Sequence, residues 1–192
     1  MPSAENLSTS CSLRPLMDDD REQILAWRNS DRVRLSMLDD SSISAAVHRE
    51  WFSRIHGDSR CIYRVFIYAG RPVGLVYFVD INWDHRTCNW GFYIGEEGLP
   101  RGLGTIMGCL ALDMVFREYG LRRVAAKVIA GNLASLRLHR KLGFIQEEDG
   151  LGKERDTTET RGMVHLVMDV VAWDNVKRGL DECKSWRKDT TT

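Results

Sequence analysis

The sequence WGFYIGEEGLPRGLGTIMGCLALDMVFREY, residues 90–119, places a strand, a glycine-rich turn and a helix one after another. Its aromatic and apolar beginning, Trp90 to Ile94, predicts the strand. From about Thr105 the apolar residues recur at three- and four-residue spacing, which predicts a helix that ends at Gly120. A glycine-rich turn before a helix presents unpaired N–H groups and the positive end of the helix dipole to phosphate oxygens. The stretch therefore predicts a pyrophosphate site.

Before this stretch the sequence predicts two helices and a hairpin. The segment Leu13–Leu16 reads as an edge strand because Pro15 cannot donate to a central ladder, and the three aspartates after Met17 supply acidity to the start of a first helix. A second helix begins at about Ser42 or Ser44. It places Val47, Trp51 and Ile55 on one face and His48 with Phe52 on an adjacent one. Residues 61–69 and 73–79 form an antiparallel hairpin around a turn at 70–72.

After the stretch the pattern continues as strand, helix and strand. Val124, Ala126 and Val128 alternate in a strand that lies parallel to the one before the helix, because a helical crossover joins them. Asn132 caps a short helix, residues 150–162 form a loop, and residues 163–171 form the last strand. Helical spacing then begins at Trp173. The sequence thus predicts a mixed α/β sheet with a flexible tail at 1–12, one domain at 13–172, and a helix and tail at 173–192.

Composition predicts a cytoplasmic protein without a metal site. The 192 residues contain 27 basic and 27 acidic side chains, a balance that gives no support for nucleic-acid or anionic-membrane binding. Five scattered cysteines lack Cys-x-x-Cys spacing and predict mostly reduced, structural thiols. The N-terminus lacks the build of a signal peptide, and no apolar run approaches transmembrane length. The sequence leaves a homodimer open.

The glycine spacing of the turn excludes two common phosphate loops. A Walker loop would end in Gly-Lys-Ser/Thr, and a dinucleotide fingerprint would need glycine where Met107 stands. The segment Arg101 to Ile106 instead resembles the acetyl-CoA loop of the GNAT N-acetyltransferase superfamily, commonly Arg/Gln-x-x-Gly-x-Gly/Ala, from which Ile106 departs at the last position. Two glycines before a helix also fit an ordinary strand-to-helix turn, so this loop alone leaves both interpretations open.

A second motif supports the resemblance. Residues 132–144, NLASLRLHRKLGF, resemble the second GNAT signature, Asn-x-x-Ser/Ala-x-x-Leu-Tyr-x-Lys-x-Gly-Phe. Both signatures occur in order with a helix and a strand between them, and the chain is identified as a member of this superfamily. The resemblance implies an α/β fold whose mixed central sheet is splayed between two parallel strands and flanked by helices.

The resemblance also implies acetyl-CoA as the acyl donor. Its pyrophosphate would bind the turn, its pantetheine arm would follow the strand, and the second motif would contact that arm. The cofactor-binding residues implied are Arg101, Gly102, Leu103, Gly104, Thr105 and Ile106 in the turn, Phe92, Tyr93 and Ile94 on the strand, and Asn132, Ser135 and His139 in the second motif. An N-cap role alone also explains Asn132.

The expected catalytic residues are His139 and Tyr93. His139 stands where many family members carry the tyrosine that protonates the leaving thiolate, and a helix C-terminus would favour its charged form. Packing of the ring under the cofactor is the alternative. Since no glutamate precedes the Gly91–Tyr93 segment as in some relatives, the amine would lose its proton through ordered water, with Asp80, Tyr93 or Glu96 at its end.

The variable N-terminal half should bind the acceptor. Trp27-Arg28-Asn29, together with Met37 and His48, resembles the GNAT subgroup that acetylates the 4-amino group of a UDP-linked 4-amino-4,6-dideoxy sugar in pseudaminic acid biosynthesis. Arg28 or His48 would pair with the diphosphate and Met37 would contact the 6-methyl group. Core packing is the alternative for Trp27, as it is for Trp51. The expected substrate-binding residues are Arg28, Met37, His48, Asp80 and Trp90.

Three other functions stay open from the sequence. One is acetylation of protein N-termini, as in the ribosomal-protein acetyltransferases, which share both signatures and would need a groove for a peptide. A second is acetylation of a polyamine or aminoglycoside, which would favour an acidic cleft and is supported only by Asp39, Asp40 and Asp80. The third is a non-catalytic acyl-CoA-binding protein, in keeping with the departures at Ile106 and His139.

Overall fold

The computed structural model describes residues 11–147 and 162–180, which form one mixed seven-stranded sheet flanked by helices. The strands are β1 (Cys11–Pro15), β2 (Ile62–Tyr68), β3 (Arg71–Asn82), β4 (Thr87–Ile94), β5 (Arg123–Ile129), β6 (Ile145–Gln146) and β7 (Met163–Asp169). The helices are α1 (Arg21–Asn29), α2 (Asp31–Arg34), α3 (Ala45–Ile55), α4 (Leu103–Asp113), α5 (Leu133–Lys141) and α6 (Val170–Lys177). The strand order is β1-β2-β3-β4-β5-β7-β6, which confirms the mixed α/β architecture.

The first four strands form an antiparallel meander with β1 at the edge, where an edge strand was predicted. β1 begins at Cys11, inside the predicted tail, because Cys11 and Ser12 already pair with β2. The hairpin turn between β2 and β3 falls at Ala69 and Gly70, whose φ angles are 48° and 76°. Two consecutive positive φ angles define the turn type that matches the twist of the flanking strands. The turn therefore lies earlier than the predicted 70–72, and Arg71 already belongs to β3.

The sheet opens between its two parallel strands. β4 and β5 pair only through Thr87–Asn89 and Arg123–Ala125, whereas β5 pairs with β7 along its whole length. Beyond Asn89 the ladder ends, and the rest of β4 is bound to β3 alone. The main chain of β4 therefore presents an open edge towards β5.

Helix α4 crosses from β4 to β5 through the main hydrophobic core. Met107 and Ala111 on its inner face are completely buried, and the helix continues as a π-helical turn at residues 114–118. It begins at Leu103, slightly before the predicted start, and Gly120 ends it with a φ of 67°, as expected. A Cβ atom on Gly108 would lie 2.6 Å from a Leu142 methyl, so this glycine allows α4 and α5 to pack closely.

The N-terminal helices show which face of α3 is buried and how Asp20 is bound. Helix α3 buries His48 and Phe52, whereas Val47 on the predicted face is 58% exposed. Ser44 caps α3 as expected, since its hydroxyl accepts from the Val47 amide. Asp20 does not cap α1; its carboxylate instead accepts two 2.6 Å hydrogen bonds from the Arg14 guanidinium.

The C-terminal helix packs into the same core as the sheet. β7 ends at Asp169, two residues earlier than predicted, because the Asp169 carboxylate caps α6 by accepting from the Ala172 amide at 2.8 Å. Trp173 is completely buried and donates to Asp113 of α4 at 3.0 Å. The predicted loop at 150–162 lies outside the described residues except for Gly162.

The cysteines differ in state. Cys61 and Cys88 are free thiols, whereas Cys109 is disulfide-bonded, which departs from the expectation of reduced thiols. Among the helices of the described ranges, none is long and apolar enough to cross a bilayer.

Candidate active site

A cavity of about 690 Å³ lies where the sheet opens. Its walls come from β4 and β5, from α5 on one side, and from α1, α2 and the following loop on the other. Of the side chains predicted to bind cofactor or acceptor, this cleft gathers Arg28, Met37, Asp80, Trp90, Phe92, Tyr93, Ile94, Asn132, Ser135 and His139. His48 and residues 101–106 do not line it.

The glycine-rich turn follows β4 at the start of α4. Gly102 has a φ of 99°, and its carbonyl accepts from the amides of Thr105 and Ile106 at 2.9 and 3.2 Å. The side chains of Leu103, Thr105 and Ile106 are at most 5% exposed and belong to the core. This turn can therefore offer main-chain N–H groups, from Leu103 and Gly104 in the first helical turn, but not those three side chains.

His139 is held between two hydrogen-bond partners on the floor of the cleft. Its Nδ1 lies 2.8 Å from the Ser135 carbonyl, which can only accept, so Nδ1 carries the proton. Trp90 Nε1 donates to His139 Nε2 at 3.2 Å, which requires a lone pair there. Burial lowers the pKa of His139, although the Ser135 bond opposes that shift. The expectation that the helix end keeps it charged is wrong in direction, because desolvation of the 3% exposed ring dominates.

Aromatic rings surround His139. The ring centroids of Trp90, Phe92 and Phe144 lie 5.5, 5.4 and 5.0 Å from that of the imidazole. Trp90 and Phe144 are nearly parallel to each other, with centroids 5.2 Å apart. This packing and both hydrogen bonds fix the ring as a neutral imidazole.

Arg28 brings an unpaired guanidinium nitrogen to the cleft. Its Nη2 donates to the Asp39 carbonyl at 2.5 Å, whereas its Nη1 is buried and has no hydrogen-bond partner within the described part of the chain. The neighbouring Asn29 side chain exchanges two hydrogen bonds, of 2.8 and 2.9 Å, with the main chain of Ile43. Asn29 thereby closes the segment 30–42, here named the cleft loop, which includes Met37 and Asp39.

Two side chains of the N-terminal helices bind the end of β4. Arg32 donates to the carbonyls of Ile94 and Gly95 at 2.9 and 2.5 Å. Trp27, which is 4% exposed as its packing interpretation predicts, donates to a Glu96 carboxylate oxygen at 2.8 Å. A Cβ atom on Gly95 would overlap the Trp27 indole. Glu96 is thus engaged in this junction and does not line the cleft.

Two tyrosines form the buried part of the acceptor side. Burial raises the pKa of Tyr93 and of Tyr77. Both phenols therefore stay protonated near neutral pH and offer no phenolate to accept a proton. Sequence reasoning missed Tyr77, whose ring covers Gly91 on the neighbouring strand. An aromatic residue placed opposite a strand glycine is the signal that could have identified it.

His48 lies apart from the cleft, on the buried face of α3. Its ring centroid is 4.9 Å from that of Trp51 and 6.2 Å from that of Phe52. Burial lowers its pKa, with Arg21 adding to that shift, and its Nε2 has no partner among the described residues. This position does not support the expected role of His48 in binding the acceptor.

Comparison with known proteins decides the family. A family model described as an acetyltransferase (GNAT) domain matches residues 11–145. The chain belongs to the GNAT acetyltransferase family. It is accordingly an N-acetyltransferase that uses acetyl-CoA, with the mixed sheet of the GNAT fold.

Relatives of this GNAT chain have different names. It is 26% identical over 174 residues to Bacillus subtilis YdaF, named as a candidate ribosomal N-acetyltransferase, with 87% of this chain and 91% of that one covered. It is 29% identical over 150 residues to spermidine N(1)-acetyltransferase of Escherichia coli K12, with 77% of each chain covered.

Solved structures share the GNAT fold at lower identity. Spermidine N-acetyltransferase from Vibrio cholerae, in complex with CoA and spermine, matches with a TM-score of 0.77 at 19% identity, covering 87% of this chain and 99% of that one. Campylobacter jejuni N-acetyltransferase PseH matches with a TM-score of 0.61 at 16% identity, covering 84% and 99%. At these identities the likeness concerns the fold alone.

The GNAT chain has the features that acetyl-CoA requires. The glycine at φ 99° leads into a helix N-terminus, which suits a pyrophosphate. The open edge of β4 offers main-chain groups to the amides of a pantetheine arm. At the start of α5, the side-chain oxygen Oδ1 of Asn132 accepts from the Ser135 amide at 3.0 Å, so Asn132 is the N-cap of this helix, and it also lines the cleft.

Proposed function

We propose that this N-acetyltransferase acetylates an amine on a small anionic acceptor, and that a UDP-linked amino-dideoxy sugar is the acceptor class that its cleft fits best. The observation that carries the proposal is the buried, unpartnered Nη1 of Arg28. Leaving a buried charged donor unpaired is costly, and a phosphate or carboxylate oxygen of a ligand would pair with it. A nucleotide diphosphate supplies such oxygens.

The charges in the cleft favour an anionic acceptor over a polycation. Among the described residues, the cleft lining includes Arg28, Arg32 and Lys127 and two acidic side chains, Asp39 and Asp80. The Asp39 carboxylate is already bound by the amide and hydroxyl of Ser41 at 2.9 and 2.6 Å. Asp80 is then the acidic group best placed for an ammonium, which is little for a polyamine but enough for a single amine.

The apolar part of the cleft suits a deoxy sugar. Met37 is half-buried and packs against the cluster that contains Trp27 and Tyr93. Met37 and Leu38 both line the cleft. A methyl group in place of a sugar hydroxyl would gain from contact with such a surface.

In the proposed reaction acetyl-CoA supplies an activated acetyl group, and the chain supplies positioning. The amides of Leu103 and Gly104 hold the pyrophosphate, and the edge of β4 together with Asn132 and Ser135 holds the pantetheine arm. His139 supports the aromatic floor as a neutral imidazole whose N–H is occupied by Ser135, so it orients the site without donating a proton.

A peptide N-terminus is the second candidate acceptor. It draws support from YdaF, whose name concerns ribosomal acetylation, and from a second cavity of about 720 Å³. That cavity shares Ser36 and Asn132 with the cleft and carries Leu35 and Leu133 at its edge, which are 56% and 59% exposed. An extended apolar peptide could lie along this continuation.

A thiol-release assay separates these acceptors. Purified protein and acetyl-CoA are combined with UDP-4-amino-4,6-dideoxy-N-acetyl-altrosamine, with spermidine, or with peptides that have free N-termini. Saturable release with the amino sugar, lost in Arg28→Met and kept in the exposed control Arg49→Met, supports the proposal. Thiol release with peptides or spermidine, and none with the amino sugar, would refute the proposed acceptor but not the acetyltransferase activity.

A further inference from the structure

We propose that the Asp80 carboxylate accepts the proton that the acceptor amine loses, and that Asn89 holds this carboxylate in position. The proposal rests on the N-acetyltransferase activity but not on the amino sugar, since any amine that reaches the thioester must lose a proton. Two observations support it: the register of the β3–β4 ladder shifts between Val79 and Asn82, and this shift lies beside the cleft.

A β-bulge directs Asp80 into the cleft. The pairing of β3 and β4 is regular from Gly74 with Ile94 to Val79 with Asn89, and its register then shifts before Asn82. Within the bulge Asp80 has a φ of 52°, which non-glycine residues seldom adopt. Bulges redirect side chains beside active sites, and such backbone strain persists where the surrounding structure enforces it.

The residue after Asp80 enforces the strained conformation. Ile81 is 4% exposed in the main core, and its amide donates to the Arg60 carbonyl at 3.0 Å. Because Ile81 is anchored inwards, the preceding side chain of Asp80 is turned outwards, where it lines the cleft.

Asn89 fixes the orientation of the carboxylate. Its Nδ2 donates to Asp80 Oδ2 at 2.9 Å. In the described part of the chain the other oxygen, Oδ1, has no hydrogen bond and is available to a ligand. Asn89 is also the last residue of β4 in the β4–β5 ladder, so the pair stands at the point where the sheet opens.

This point is where the acyl end of the donor should lie. A donor arm that starts at the turn after β4 and follows the strand back from Ile94 ends near Trp90 and Asn89. The four residue-to-residue steps from Trp90 to Ile94 span about 13 Å at the usual rise of a strand. Asp80, which Asn89 binds, therefore lies beside the end of the strand segment that the donor arm would follow.

Other residues considered for proton transfer are already engaged. Glu96 is bound by Trp27 outside the cleft lining, and both nitrogens of His139 have partners. Tyr93 is a phenol whose pKa burial raises further. Asp80 lines the cleft, and within residues 11–147 and 162–180 its one hydrogen-bond donor is Asn89.

The proposed step transfers an acetyl group to the amine and one proton to Asp80. The acceptor nitrogen forms a bond to the thioester carbonyl carbon and becomes positively charged, and it then gives a proton to the Asp80 carboxylate. The carbon–sulfur bond breaks, and its electron pair leaves with the sulfur, which takes a proton from solvent. Asp80 returns its proton to solvent. The net reaction converts an amine and acetyl-CoA into an acetamide and free CoA.

Steady-state kinetics of full-length variants test this step, with whichever amine of the assay panel the wild type acetylates. Asp80→Asn keeps the size of the side chain and tolerates the positive φ, and Asp84→Asn, in the exposed turn after β3, is the matched control. We expect kcat to fall about 100-fold or more in Asp80→Asn, with the KM for acetyl-CoA unchanged within about twofold. Asp84→Asn should keep wild-type kinetics.

The role of Asn89 is tested by a double-mutant cycle. Asn89→Ala should lower kcat about tenfold, and the double variant should be no slower than Asp80→Asn alone, because Asn89 acts only through Asp80. Asp80→Gly, whose backbone accepts the positive φ, replaces Asp80→Asn if that variant does not fold.

Three outcomes would overturn the proposal: a kcat within about threefold of wild type without the carboxylate, a rise confined to the KM for the amine, or fully additive losses in the cycle. If the amino sugar is not the acceptor, the wild-type protein acetylates another amine of the panel. The Asp80 variants are then tested with that amine, so the two failures are distinguished.

Discussion

Replacement of His139 by phenylalanine separates a packing role from a proton-transfer role. Phenylalanine keeps an aromatic ring among Trp90, Phe92 and Phe144, but it removes the lone pair that accepts from Trp90 Nε1. A buried donor left without a partner costs about 1–3 kcal/mol. We therefore expect the free energy of unfolding to fall by about that amount, as measured by urea denaturation.

Turnover gives the decisive contrast for the same variant. If His139 donates no proton, kcat at saturating acetyl-CoA should stay within about threefold of wild type, whereas loss of a general acid costs about 10²- to 10⁴-fold. The assay is thiol release at a temperature well below the melting point of the variant. A 100-fold lower kcat in a folded variant that still binds acetyl-CoA would refute the reasoning and restore the acid role.

The pH dependence of stability checks the neutral state of the ring. Burial lowers the pKa of His139 in the folded chain below the ordinary value of about 6.5 that applies when it is unfolded. Below that pH the unfolded chain binds a proton that the folded chain does not, so stability is full above about pH 6.5 and is lost as the pH falls. His48 contributes in the same direction. Urea denaturation at about pH 7.5 and about pH 5.5 should show a smaller loss for His139→Phe than for wild type.

Three further variants test the remaining geometry. Arg28→Lys keeps the charge but loses the fork of the guanidinium, so the KM for the acceptor should rise about 10- to 100-fold with that for acetyl-CoA unchanged; an unchanged acceptor KM would remove the anion site. Arg32→Ala leaves the carbonyls of Ile94 and Gly95 without their donor and should raise the KM for acetyl-CoA about three- to tenfold, although Arg32 belongs to the acceptor half. Equal affinity of the variant and the wild type for acetyl-CoA in a binding titration would contradict this. Gly95→Ala forces the Trp27 indole to move and should destabilise the chain by about 1–3 kcal/mol in urea denaturation, whereas the control Gly162→Ala, with 3.7 Å to its nearest neighbour, should change little.

Much of the fold could be predicted from hydrophobic periodicity and from the residues that end helices and form turns. The crossover helix after β4 made β5 parallel to it, and Gly120 ended that helix where expected. Asn132 was recognisable as an N-cap from its place before an apolar helical pattern. Local chemistry is sufficient for such features, because strand alternation, helix caps and positive φ angles depend on neighbouring residues.

The parts that sequence reasoning missed depend on distant contacts. The periodicity of α3 allowed two faces, and only packing against α1 and the sheet selects the one with His48 and Phe52. From the sequence, the helix C-terminus was the one visible influence on the charge of His139. The burial of its ring and the hydrogen bond from Trp90 depend on other elements of the fold. The bulge at Asp80 could not be predicted from a glycine in the sequence, because the residue with the positive φ is an aspartate.

The two hydrogen bonds between Asn29 and Ile43 have a consequence for how acceptor preference changes in evolution. The Asn29 side chain bonds both the amide and the carbonyl of Ile43, as the main chain of a paired strand would, and so joins the two ends of the cleft loop. These ends keep their geometry regardless of which residues occupy 30–42. Insertions and substitutions within 30–42 can then remodel the acceptor wall while the sheet and the acetyl-CoA turn are left intact. An exchange of this segment between relatives would carry selectivity with it, and sequence identity averaged over the whole chain is correspondingly a weak guide to the amine that each of them modifies.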